Sequence, residues 1–281
     1  MAQQIQSSDI RPSPIAGQWY PGNARDLAAM IDKFLTDVPE APIPGEIIGL
    51  VAPHAGYVYS GRIAAHAFRL VQGMVFERVV VISPMHQVSY APVLTTAHHL
   101  YWTPLGTIQV DLDLLAALNK QIRITPLHQD SEHSLEIELP FLQRVLEGPF
   151  LLVPLMLREQ SYEVVSRLAA LLAECIRESG GKTLLVASSD LSHHYPQAKA
   201  KEFDQTMLNT VEAFDPQGVI DVEEQARGFA CGRAAIATAL IAARALGADS
   251  VKVVGYGTSA DTTGDRSSVV GYGAAAIYRS L

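Results

Sequence analysis

Short apolar runs rich in Val, Ile and Leu recur along the chain and alternate with segments in which apolar residues return every three or four positions. The runs "EIIGLVA", "RVVVIS", "PVLTTA", "PFLLVPLML", "KTLLVAS", "SVKVVGYG" and "SSVVGYGAAAIY" predict strands. Between them, "NARDLAAMIDKFLTDV", "SGRIAAHAFRLVQG", "LDLLAALNKQ", "SLEIELPFLQRVLE", "YEVVSRLAALLAECIRE", "AKEFDQTMLNTVEAF" and "CGRAAIATALIAARAL" predict helices. Strands interleaved with helices imply an α/β fold, with a central mostly parallel or mixed sheet between helix layers. No repeat, low-complexity tract or long Pro/Gly/Ser linker divides the chain, so a single domain over residues 1–281 is expected, with 1–10 as a flexible N-terminus.

Composition narrows the function classes. With 281 residues and 48% hydrophobic content, the chain can bury a large core. The formal net charge of -8 comes without any basic run that could track a phosphate backbone, which argues against nucleic acid as a partner. No window approaches the roughly 18 apolar residues that a membrane span requires. The start, "MAQQIQSSDIRPSPIAGQWYPG", lacks a charged head followed by an apolar core, so a cytoplasmic location is expected. Cys175 lies in a helical pattern and is assigned to the core, and two thiols in such a chain are expected to be reduced.

The candidate chemistry lies in histidines placed just after strands. In open α/β sheets, ligands bind beyond the carboxyl ends of the strands, where loops converge. His54 follows "EIIGLVAP", His86 follows "RVVVISPM" and His193 follows "KTLLVASSDLS", so three strands deliver a histidine to one edge. His66, His98 and His99 fall in elements and are read as packing or surface residues, and His128 is unassigned. A metal-bound histidine needs its second ring nitrogen fixed by a carboxylate or carbonyl. Asp190, Glu132 and Glu136 are available for that task, although an acidic start such as "DSEHSLEIELP" also caps a helix. No P-loop, GxGxxG or GxSxG motif is present.

The blocks "GQWYPG", "APHAGYVYSG", "SPMHQV", "WTPLG", "EHSLEIELPFLQ", "SSDLSHH", "ACGRAAI" and "TSADTTGDRSSVVGYGA", in this order, resemble the Memo family, also called AmmeMemoRadiSam system protein B. That family is similar to the catalytic subunits of class III extradiol dioxygenases. The resemblance implies His54, His86 and Cys231 as metal ligands and His193 as an acid/base, with Asp190 orienting it. It further implies a substrate pocket around Trp19, Tyr59, His133 and Glu136. Two imidazoles and a thiolate suit iron(II) or copper, and zinc could also occupy the site. Cys231 opens a predicted helix, whose N-terminal dipole would favour the thiolate. The function implied is a metal-dependent redox protein acting on a small-molecule or peptide substrate. The alternatives are a peptide- or protein-binding module that has lost catalysis, and a metal-handling protein. As partners the resemblance implies an AMMECR1-like protein and a radical S-adenosylmethionine enzyme.

Overall fold

The computed structural model describes residues 9–281. The expectation of a flexible start falls mostly on residues 1–8, outside the described residues. Ile10 and Arg11 already pair with Leu100 and Tyr101.

The chain forms a single α/β domain around a mixed sheet. Its centre consists of β2 (Gly45–Ala52), β3 (Arg78–Pro84), β8 (Leu151–Leu157) and β9 (Thr183–Ser188), all parallel and ordered β8-β3-β9-β2. β3 is buried along its whole length, as a parallel strand covered on both faces must be. Beyond β8 come β6 (Gly106–Val110), β5 (Leu100–Thr103) and β1 (Ile10–Arg11), with β4 (Val93–Thr96) and β7 (Thr125–Leu127) as a side branch. On the other flank lie β10 (Asp190–Tyr195), β11 (Ser250–Thr258) and β12 (Val269–Ser280), paired antiparallel.

Helices cover both faces. α1 (Ala24–Asp37), α2 (Tyr57–Phe68) and α4 (Leu139–Val145) pack together on one face. On the other lie α3 (Leu112–Asn119), α5 (Tyr162–Ser179), α6 (Gln197–Glu212), α7 (Pro216–Glu224) and α8 (Arg233–Ala245). The alanines of α8 are almost all buried, and their small side chains let it lie close against β3 and β9. Cys175 is buried in α5, and both cysteines are free thiols. No helix among the described residues is long and apolar enough to cross a membrane.

The predicted strands and helices all form, although the segment at 134–147 begins as a 3-10 turn before α4. β5, β6, β7, β10 and α7 carry weaker signals. β10 reads as a polar loop because "DLSHHY" mixes histidines with buried polar residues, Asp190 and Ser192.

One feature of the sheet positions the site. β12 is long enough to border two strands in succession on the same side: Ala275–Ser280 pair with β2, and Val269–Tyr272 pair with β10. β2 therefore stops where β10 starts, and the residues after Ala52 meet the first residues of β10 at that junction.

Candidate metal centre

His54 lies two residues beyond the end of β2 and is 2% exposed. Its backbone N–H donates to Asp190 Oδ1 at 2.8 Å, and Ala55 N–H donates to the same oxygen at 3.3 Å. Asp190, the first residue of β10, thus clamps the turn that carries His54. His54 Nδ1 lies 2.9 Å from Ser188 Oγ, which also lies 2.5 Å from the Ser134 carbonyl and 2.8 Å from Glu138 Oε1. A hydroxyl has one proton to give. Full burial pushes the Glu138 carboxyl well above its usual range, which favours the protonated form that donates to Ser188. With the Ser188 proton on the Ser134 carbonyl, the remaining lone pair accepts from His54 Nδ1–H. The imidazole is then fixed with Nε2 unprotonated and facing the site.

His86 follows β3. Its Nδ1 lies 2.9 Å from Glu132 Oε1, and its backbone N–H donates to Glu132 Oε2 at 2.6 Å. The same carboxylate accepts the backbone N–H groups of His133 and Ser134, each at 3.0 Å, and lies 3.4 Å from His133 Nδ1. Burial alone would raise the Glu132 pKa, but the His86 imidazole and the backbone donors outweigh it and hold the group below the usual carboxylate range.

His54, His86 and His133 come together so that one ligand atom from each lies within 4.8 Å of the others, which suits a metal ion. The His86 and His133 rings stack with centroids 4.8 Å apart, and both meet His54 edge-on at 5.4 and 5.5 Å. Burial and the neighbouring imidazoles depress His54 well below its ordinary value, and burial pushes His133 down to about 4. His54 and His86, with Nδ1 engaged by Ser188 and Glu132, leave Nε2 for a ligand, so the donor set fits a metal on physical grounds.

The remaining sequence candidates occupy varied positions. Cys231 Sγ lies 3.1 Å from His54 Nε2 and 3.6 Å from the Asp190 carbonyl. It precedes α8 by two residues, with Gly232 as the N-cap, so it does not open the helix as expected. Burial pushes its thiol up rather than down, which corrects the expected dipole-stabilised thiolate. The thiol has two acceptors within reach, His54 Nε2 and the Asp190 carbonyl. His193 Nδ1 lies 2.8 Å from the Leu191 carbonyl. That carbonyl is the partner of its Nδ1, while Asp190 Oδ1 serves the His54 turn. Of the three histidines expected at the sheet edge, His54 and His86 join the cluster, and its third member is His133.

Trp19 lines the site by packing against His133, with ring centroids 4.2 Å apart and the planes tilted by 36°. Tyr59, in the first turn of α2, is 47% exposed and borders a cleft of about 390 Å³ with Phe34, Arg62 and Tyr256, which no residue of the histidine cluster lines. Glu136 is not a pocket residue. It is fully buried, paired with Arg11 at 2.5 Å, accepts from Tyr20 Oη at 2.6 Å, and also accepts from Ser13. Arg11 additionally pairs with Asp130 and donates to the Glu132 carbonyl at 2.9 Å. This buried network ties the N-terminal strand to the loop bearing Glu132 and His133. Arg11 lies outside the motif blocks, and Ser188 and Glu138 lie within them without a local cue to their roles, which exist only once distant segments meet.

A family model described as "Memo-like protein" matches residues 11–276. The chain is 34% identical over 272 residues to a MEMO1 family protein of Nitrosopumilus maritimus, covering 94% of this chain and 98% of that one. It is 33% identical over 269 residues to one of Methanosarcina mazei, covering 95% and 98%. A Methanopyrus kandleri relative is 32% identical over 280 residues, covering 96% and 99%.

Proposed function

The chain belongs to the Memo-like family, and from that membership and its histidine cluster we propose that it is a metal-dependent redox protein acting on a small organic or peptide substrate. The observation that carries this reading is the convergence of His54, His86 and His133 with Cys231 beside them, each delivered by a different segment. Iron(II) or copper is the metal proposed, since two imidazoles with a thiolate accept either, and zinc is the redox-silent alternative. Such a metal, when bound, supplies Lewis acidity and electron transfer.

The protein's own residues do the rest. Ser188 and Glu132 aim the imidazoles, and Asp190 holds the His54 turn in place. His193, with Nδ1–H given to the Leu191 carbonyl, keeps Nε2 open as a proton carrier near the cluster. Trp19 against His133 supplies an aromatic wall that confines a substrate.

Elemental analysis after anaerobic loading with Fe(II), and separately with Cu(I), tests the proposal. One metal per chain should be retained, with sharp losses in His54→Ala and His86→Ala. Oxygen consumption by the loaded protein should follow. Stoichiometric metal in both variants would overturn the ligand assignment, and inertness with every metal would favour a binding module.

A further inference from the structure

Tyr272 is a buried residue that no part of the preceding account employs. It lies on β12 directly opposite Asp190 on β10, and facing residues of an antiparallel pair project to the same side of the sheet. That side is the α2 face. The alternate residues Gly271 and Gly273 turn the other way, where any side chain would meet Asp204 and Leu208 of α6. β12 also fixes its height. Ala275 pairs with Val51, so Tyr272, three residues earlier, stands level with His54, three residues later. Tyr272 thus occupies the junction where β2 gives way to β10, between the His54 turn and the first turn of α2.

Its phenol has an unusual status. The residue is 2% exposed, yet its hydroxyl makes no hydrogen bond among the described residues. Among the described residues, the fully enclosed side-chain polar atoms without partners are Gln160 Oε1, Ser192 Oγ, Arg233 Nε and Thr238 Oγ1. The Tyr272 hydroxyl is not among them, so a water-sized group reaches it. Asp190 Oδ2 is in the same condition, because both backbone donors use Oδ1. Burial, followed by the nearby Asp190 and Tyr59, holds the phenol above its ordinary pKa and keeps it a donor. A buried tyrosine ordinarily finds a partner for its hydroxyl.

We propose that Tyr272 is a substrate-binding residue whose phenol, with Asp190 Oδ2, receives a hydroxyl group of the substrate beside the metal cluster. A substrate hydroxyl can donate and accept at once, so one such group can satisfy the phenol and Asp190 Oδ2 together. The inference rests on the proposed function only in placing the substrate at this site, since neither group is a metal ligand.

The probes are 4-fluorobenzyl alcohol and its hydroxyl-free counterpart 4-fluorotoluene, followed by fluorine NMR on the zinc-loaded and chelator-treated protein. The alcohol should bind in preference to the toluene, and Tyr272→Phe should weaken the alcohol about three- to tenfold, the worth of one hydrogen bond, without affecting the toluene. Metal content, measured on the same samples, reports separately on the metal reading. Equal affinity of the wild-type protein for both probes, or an alcohol preference undiminished in Tyr272→Phe, would overturn the proposal. Should the variant melt early, a crystal structure of the wild-type complex decides. The alcohol oxygen within hydrogen-bond distance of Tyr272 Oη supports the assignment, and its placement elsewhere refutes it.

Discussion

Both carboxylate oxygens of Glu132 are committed to His86, one to Nδ1 at 2.9 Å and the other to the backbone N–H at 2.6 Å. The ring is therefore fixed in rotation as well as in tautomer. Because Oε1 also serves the His133 backbone, one side chain sets two of the three imidazoles. Replacing Glu132 with Ala should lower metal affinity about 10- to 100-fold, within the usual effect of losing a group that orients a ligand. Competition with a chromogenic chelator measures it, and affinity within twofold of wild type would show that the rings are aimed by packing alone.

Under the proposed function, Cys231 and His133 are the two candidates for a third ligand, and protons distinguish them. The buried thiol is protonated without metal, so coordination by sulfur must release its proton, whereas neutral His133 has none to release. Co(II) loading should release about one proton per ion and produce a thiolate charge-transfer band. Both should vanish in Cys231→Ser and persist in His133→Asn. The reverse pattern would make the three histidines the ligand set.

The metal-free protein should lose stability as the pH falls through the range set by His133. Its pKa is pushed down to about 4, so between about 6.5 and about 4 the unfolded chain binds a proton that the folded site refuses. The stability is fully present above about 6.5 and declines below it, by an amount on the order of 3 kcal/mol near pH 4. Urea unfolding at stepped pH checks this, and His133→Asn should remove its share of the slope while the share of the depressed His54 persists.

Arg11 predicts a different kind of loss. It is 3% exposed and neutralises Asp130 and Glu136, both buried, so Arg11→Ala should destabilise the fold by about 3–5 kcal/mol. The same variant loosens the loop bearing Glu132 and His133, so metal affinity should fall along with the urea midpoint.

His193 provides the last test. If it carries protons without holding metal, His193→Ala should keep the metal of the wild type and lose about 100-fold in oxygen consumption. Metal loss equal to that of His54→Ala would make it a ligand.

The sequence reveals the central strands and the His54 and His86 positions because each depends on local pattern: an apolar run, then a histidine at its carboxyl end. Tertiary closure was less legible. His133 sits in an acidic stretch that reads equally well as a helix cap, and it belongs to the cluster only because Glu132 folds back onto His86. Glu136 carries the same local signal and turns instead toward Arg11, a partner 125 residues away. Cys231 reads as a helix start, but burial, which no local pattern encodes, decides its protonation.

The segment Gly271-Tyr272-Gly273 has a consequence for how the chain finds its pairing. Sliding β12 by one residue against β10 and β2 would drive the tyrosine ring into the space that Asp204 and Leu208 fill beneath the two glycines. A single bulky residue between two residues with no side chain thus works as a key cut for one lock position, disfavouring a one-residue slip of β12 beneath the docked α6. Giving Gly271 or Gly273 a side chain would blunt that key from the opposite face. Slow or heterogeneous refolding is the expected trace, even at positions remote from any metal.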